Sequence, residues 1–297
     1  MAYIKEIKQR IRSISETRKI TRAMKLISAA KYKKARQQLD RALPFFRKVQ
    51  DMIRDILKHG GNIRNVFFDT RQSAEKKRRG YVIITGDREL AGGYNHNILR
   101  LAEKHIKKHI EENELDRDSI WFMTIGLVGY SHFQNMGYTI DKQNVYRSQM
   151  PDVFKTRAME ETITGLFEKG KLDEVYLVYT VMESHAKIAP RIEKLLPLSV
   201  PDIKIDGGED GRADDAFIYE PSAEEVFNTL IHKYIKGVLY GAMVESYTSE
   251  QHARLAAMEN ATRNADEILE KLYLDYNRAR QTAITKEISE IVSGASA

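Results

Sequence analysis

The stretch Thr85-Gly86-Asp87-Arg88-Glu89-Leu90-Ala91-Gly92-Gly93-Tyr94-Asn95 holds the residues most suggestive of chemistry. It follows a short β-rich run, Tyr81-Val82-Ile83-Ile84. A Gly-rich strand-to-helix turn is a frequent phosphate seat, because backbone N–H groups and a helix N-terminus converge there. Asp87, at the strand end, is of the right type for a phospho-acceptor or a metal ligand. The spacing matches neither G-x-G-x-x-G nor G-x-x-x-x-G-K-[ST]. Gly and Asp also fill tight turns for backbone reasons alone. The structural role is the favoured reading, with nucleotide binding and catalysis behind it.

Other reactive side chains are scattered. Of eight histidines, His105 and His109 stand four apart on a helical stretch, a spacing able to hold a metal. Their neighbours Lys104, Lys107 and Lys108 would repel a cation, and no third ligand is evident. Glu183-Ser184-His185 contains suitable atoms for a hydrolase, but adjacency in sequence says nothing about triad geometry. Neither G-x-S-x-G nor H-E-x-x-H occurs, and there is no cysteine. No catalytic, metal or cofactor site is expected.

Charge is the stronger signal. The net charge of +6 conceals an asymmetry: residues 1–50 carry 15 Lys/Arg against 3 Asp/Glu, while the other 247 carry 33 against 39. Within the basic part, RKITRAMKLISAAKYKKAR, residues 18–36, has eight Lys or Arg and no acid. Its partner should therefore be anionic. A nucleic-acid helix would be helped by aromatic interleaving, and only Tyr32 is offered. A membrane-surface helix usually carries Trp, Phe or Leu on its apolar face, whereas Ile, Met and Ala dominate here. A helix packed on another helix, showing charge to a protein partner, is the leading reading. Nucleic-acid binding is its alternative.

These residues need elements to position them. From residue 1 to 59 there is no glycine and one proline, Pro44. Ile4, Ile7, Ile11 and Ile14 follow a helix-packing spacing, which is expected to slip in phase and resume through Ile20, Met24 and Ile27. One helix over residues 3–57 is predicted, about 80 Å long at 1.5 Å per residue, with Pro44 as a possible bend. A second long helix is predicted over 222–292, capped by Ser222, with Met258, Ala261, Ala265, Ile268, Leu272, Tyr276, Ala279 and Ala283 as its seam. Between them, β-rich runs at 81–85, 120–127 and 175–181 alternate with helical stretches at 95–112 and 152–169. The predicted fold class is α/β plus long helices: an antiparallel coiled coil of the two termini with a Rossmann-like α/β middle domain. The expected divisions are 1–59, 78–205 and 221–297, with loops at 62–79 and in the acidic 206–215 segment. No run approaches the roughly 18 apolar residues of a membrane span, and a cytoplasmic setting is expected.

Three long stretches together carry a resemblance: IKEIKQRIRSISETRKITRAMKLISAAKYKKA, VIITGDRELAGGYN, and ARLAAMENATRNADEILEKLYLDYNRARQTAITKEISEIVSGA. They closely resemble the γ subunit of F-type ATP synthases, densely at the ends and more loosely over about 100–215. The resemblance implies a central-stalk rotor, present in one copy inside a ring of α and β subunits. Its middle domain would lie near the ε subunit and the membrane c-ring, at the cytoplasmic face of the membrane, without insertion. It implies no ATP chemistry on this chain and no nucleic-acid partner. It also places Met24 and Arg254 near an acidic β-subunit loop, and Arg280, Gln281 and Thr285 at a β-subunit catch loop. Arg18, Lys19, Arg22 and Lys25 then become charges facing acidic stator loops. The chain departs from the family's usual strand-turn at Glu89, Ala91 and Tyr94. Lacking cysteine, it has no counterpart of the plastid dithiol insertion.

Overall fold

The structure, a computed structural model, describes residues 2–59, 65–69, 77–113, 117–184, 187–198 and 219–295. The expected acidic loop at 206–215, most of 62–79 and His185 lie outside these residues. Ten main elements follow one another: α1 (Ala2–His59), β1 (Arg79–Ile84), α2 (Tyr94–Asn113), β2 (Ile120–Ile125), α3 (Leu127–Asn135), β3 (Val145–Tyr146), α4 (Val153–Glu168), β4 (Glu174–Ser184), β5 (Lys187–Leu196) and α5 (Ala223–Ala295). They form two compact units, Met1–Ala30 with Arg254–Ala297, and Lys31–Ala253. The fold class is the expected one.

In the larger unit, five strands form one sheet in the order β3-β2-β1-β4-β5. β1 to β4 are parallel, and β5 returns antiparallel beside β4. The chain leaves β1 toward β2 and β3, then crosses back to place β4 on the other side of β1. The ends of β1 and β4 therefore flank the switch point, where doubly wound sheets open a crevice at the carboxyl ends of their strands. Every residue of β1 is buried, as a central parallel strand requires. Tyr81 and Ile83 point to one face, packing with Ile98, Ala102 and Ile106 of α2 and Phe133 of α3. Val82 and Ile84 point to the other, among Met159, Ile163 and Phe167 of α4, Val49, Ile53 and Ile56 of α1, and Phe227, Ile231 and Ile235 of α5.

Two strands escaped the sequence pattern. β3 has two residues, too few for any alternation to register. β5 (KIAPRIEKLL) contains Pro190 and four charges, which suits an edge strand and blurs its apolar signal. On this side of the sheet Gly237 of α5 is set by close approach. A Cβ there would stand 2.5 Å from the Phe46 ring of α1, beside the Phe46–Tyr240 contact of 5.7 Å. Lower on α5, His232 Nδ1 lies 2.7 Å from Oε1 of the buried Glu160. That hydrogen bond, together with the charges of Glu160 and Glu168, raises the histidine pKa despite its partial burial.

The smaller unit is an antiparallel helix pair. Arg18–Asp266, Thr21–Thr262 and Lys25–Glu259 meet at 2.9, 2.9 and 2.8 Å, so each step up α1 is matched by a step down α5. The expected phase slip is absent. Ile7, Ile14, Thr21 and Ser28 turn inward at uninterrupted steps of seven, with Ile4, Ile11, Arg18 and Lys25 between them. The seam keeps its heptad by using hydroxyls, small residues and long aliphatic stems in place of large apolar groups. Ile20 and Ile27, expected in the seam, are 60% and 55% exposed. On α5 the expected seam residues are covered except Ile268, which faces outward while Leu269 is buried. α1 runs unbroken through Pro44.

Two outcomes follow. Ile7→Ala should cost about 2–3 kcal/mol and Ile20→Ala less than about 0.5 kcal/mol in denaturant titrations followed by helical circular dichroism; equal losses would restore Ile20 to the seam. His232 has a raised folded pKa, so its stabilisation is complete below its unfolded value of about 6.5 and is lost as pH rises through the folded one. The melting-temperature gap between wild type and His232→Gln should therefore be widest near about pH 5.5 and nearly closed by about pH 9.

Candidate partner interface

The strand-turn after β1 is built as a junction. Asp87 Oδ1 accepts hydrogen bonds from the backbone N–H of Leu127 at 3.2 Å and of Ser148 at 2.9 Å, so it caps α3 and fastens the chain leaving β3. Asn95 Oδ1 accepts from Gly86 N at 2.8 Å, and its amide donates to Arg88 O at 3.2 Å. Gly126 holds φ at 101°, and a Cβ there would lie 2.2 Å from Thr85 O. These bonds commit Asp87 Oδ1 and the N–H groups of Gly86, Leu127 and Ser148 to the fold. A cavity of about 670 Å³ beside the turn brings the carboxylates of Asp87, Glu89 and Glu103 to its wall with Arg100, His96 and His132. His132 is paired to Glu103 at 2.6 Å. A polyphosphate would meet three acids there, which agrees with the structural reading of Asp87.

His105 and His109 do come together, with ring centroids 4.3 Å apart, but as part of an aromatic cluster in which His105 meets Tyr81 and Tyr176 edge-on. Tyr81 OH and His105 Nδ1 are 3.1 Å apart. Burial, then the Arg79 guanidinium, lowers both histidines, His109 to about 4. Arg79 is itself buried against Glu174 at 2.7 Å. Burial would raise that carboxyl, but Arg79 and Lys194 outweigh it and hold it at about 2. A metal at the histidine pair would share its site with a fixed guanidinium. Among the described residues no group of three or more His, Cys, Asp or Glu is arranged to hold a metal ion.

The basic helix divides into two roles. Arg18 and Lys25 ion-pair with Asp266 and Glu259 of α5 and flank the seam. Lys19 and Arg22 are exposed, with Lys19 paired only locally to Glu16 at 3.0 Å. Between and beside them lie Ile20, Met24 and Ile27, spaced four and three apart on one side of α1, with Met24 half-buried. An apolar stripe edged by cations is what the misread seam residues form. Sequence reasoning missed this because it scored Ile20 and Ile27 by type. Their displacement from the heptad of Ile7 and Ile14 was the available signal.

On α5, Arg254 is half-buried with interactions of its own, while Arg280, Gln281 and Thr285 are exposed. Past Ala283, Ile284, Ile288, Ile291 and Val292 stand exposed at helical spacing. The structure thus brings Arg18, Lys19, Arg22, Met24 and Lys25 to one stretch of α1. It sets Arg280 and Gln281 on the exposed side of α5 between the covered Ala279 and Ala283, and Thr285 just beyond them.

The sequence profile described as ATP synthase matches residues 3–297. The chain is 49% identical over 299 residues to an ATP synthase gamma chain of Ruminiclostridium cellulolyticum, covering 99% of this chain and 98% of that one. It is 38% identical to a gamma chain described as sodium ion specific from Acetobacterium woodii, over 99% of this chain and 98% of that one. Among solved structures it resembles a chain in the rotor of the Euglena gracilis mitochondrial ATP synthase. The TM-score there is 0.60 at 17% identity, covering 95% of this chain and 99% of that chain. None of these relatives lends support to the nucleic-acid alternative. The chain belongs to the ATP synthase gamma chain family.

Proposed function

We propose that the chain is the central-stalk rotor of an F-type ATP synthase, coupling ion flow through a membrane c-ring to ATP synthesis or hydrolysis on catalytic β subunits. It carries no catalytic site of its own. One copy would stand within the α/β ring, with its α/β unit toward ε and the c-ring, at the cytoplasmic face of the membrane. No helix among the described residues is long and apolar enough to cross a membrane, which agrees with attachment through the complex.

The observation that carries this reading is the outward stripe of Ile20, Met24 and Ile27 edged by Lys19 and Arg22 on a helix already paired along its other side. Large apolar groups left exposed beside cations suit a second partner surface with acidic loops. One asymmetric shaft meets three otherwise identical sites with different contacts. Each site is then biased toward a different state by its differential contact free energy, and the bias is reciprocal. Long-range attraction between Lys19, Arg22 and acidic loops favours association without fixing one angular position. Arg18 and Lys25, though paired in this chain, are exposed enough that each pair is worth at most about 1 kcal/mol. Their cations can therefore exchange toward a stator carboxylate. Arg254, Arg280, Gln281 and Thr285 are assigned to further contacts with the β subunits.

Mixed with matched α and β subunits, the chain should support ATP hydrolysis that it does not catalyse alone; no stimulation under assembling conditions would sink the assignment. Lys19→Gln with Arg22→Gln should lower assembly or rotation-coupled activity by about two- to fivefold, more steeply at low salt, while leaving the melting temperature unchanged. Loss of melting temperature in step with activity would instead make these residues part of the fold.

A further inference from the structure

The six consecutive residues 246–251 of α5 (Ser-Tyr-Thr-Ser-Glu-Gln) are all buried, Ser246 and Ser249 completely and Glu250 to within 4%. A helix covered on every side is normally apolar, yet five of these six are polar. Thr248 returns its hydroxyl to its own helix, donating to Val244 O at 2.7 Å. Three others reach outward. Ser246 Oγ lies 2.8 Å from Tyr94 OH and accepts from Thr180 N at 3.3 Å. Ser249 Oγ donates to Thr180 O at 3.3 Å. Glu250 Oε2 accepts from Ser148 Oγ at 3.0 Å, while its Oε1 lies 3.1 Å from where a Gly86 side chain would begin.

The partners come from the end of β1, the start of α2, the segment after β3, and β4. By the sheet register Ile83 is level with Val178, so Thr180 stands one step past the last residue of β1, Ile84. β5 pairs with Thr180 through Pro190 on one side, and on the other, where β1 has ended, the two serines meet its backbone N–H and C=O. α5 thus fills the switch-point crevice that other doubly wound folds leave for a nucleotide, and Glu250 brings a carboxylate into it.

We propose that Ser246, Ser249 and Glu250 form a positioning latch that holds the rotor helix in register against the α/β unit under load. The latch rests on the rotor reading above and deepens it. Apolar seams are non-directional, so a helix can turn or slide along one while still burying similar area. Buried hydrogen bonds are angle-dependent, and each one broken leaves an unsatisfied group. A slip of one residue breaks all three sets at once, so load is resisted where directional bonds gather.

The test uses the whole complex in sealed vesicles, measuring ions moved per ATP hydrolysed. Glu250→Ala should keep ATP hydrolysis near wild type while ions moved per ATP fall by at least about threefold, and Glu250→Gln, which retains an acceptor for Ser148, should recover most of the ratio. An unchanged ratio in Glu250→Ala would overturn the latch, as would a Gln variant as impaired as the Ala one. Ser246→Ala, a smaller change, should lower the same ratio and serves if Glu250→Ala does not assemble; an unchanged ratio there then overturns the proposal. If the wild-type chain moves no ions with its matched partners, the rotor reading fails and the latch is not the cause.

Discussion

The antiparallel pairing of α1 with α5 is the interaction on which the rest of the molecule depends. An isolated helix is marginal in water, because its stability comes mainly from covering one face. Helices of 58 and 73 residues therefore depend here on the cover each finds along most of its length. Within one unit they cover each other through a heptad of Ile, Thr, Ser and Ala. Within the other they join β4 and α4 in a shared core containing Ile53, Ile231 and Leu177. The smallness of the first seam has a consequence for its surroundings. Thr21 opposite Thr262 and Ser28 in place of a large residue leave little apolar area to bury. The flanking Arg18–Asp266 and Lys25–Glu259 pairs then add register more than energy.

Much of this fold was legible because the two periodicities are so different. Gly-free heptads over the ends and buried apolar runs at Tyr81–Ile84 and Val175–Val181 admit few other architectures. The misreadings share one cause. Ile20 and Ile27 read as seam residues because they are apolar, and Thr21 does not because it is polar, although the neighbouring small run Ser28-Ala29-Ala30 already marks a place of close approach. Close helix approach selects for size before polarity, so the small residue was the better indicator. β5 was missed for the converse reason: an edge strand needs Lys, Arg and Pro, and those residues hide the alternation that would reveal it.

The candidate sites were legible by type but not by role. Asp87 sits where a phosphate-handling acid would sit, and what settles its use is that Leu127 and Ser148 already donate to it. His105 and His109 have metal-ligand spacing, but the guanidinium of Arg79, more than twenty residues away, decides what the pair can hold. Arg18 and Lys19 are adjacent in the sequence and lie on different sides of the helix, one bridging the seam and one exposed. In each case the deciding partner is distant in the chain, so local spacing could not have supplied it.

On the rotor reading, the two units meet opposite mechanical demands with the same pair of helices. A shaft turning inside a ring gains from contacts that attract at range and bind no single angle, which suits mobile cations beside a modest apolar stripe. A shaft driven from its other end must not turn within its own mount, which calls for contacts that fail sharply when displaced. Exposed ion pairs and non-directional apolar contact serve the first need. Buried hydroxyls and a carboxylate satisfied at fixed angles serve the second. α5 carries both chemistries along one continuous helix: Ile284, Ile288 and Ile291 uncovered near one end, and Ser246, Ser249 and Glu250 enclosed in the sheet crevice. The polarity that sequence patterning treats as a defect in a buried helix is, on this argument, what distinguishes the mount from the shaft.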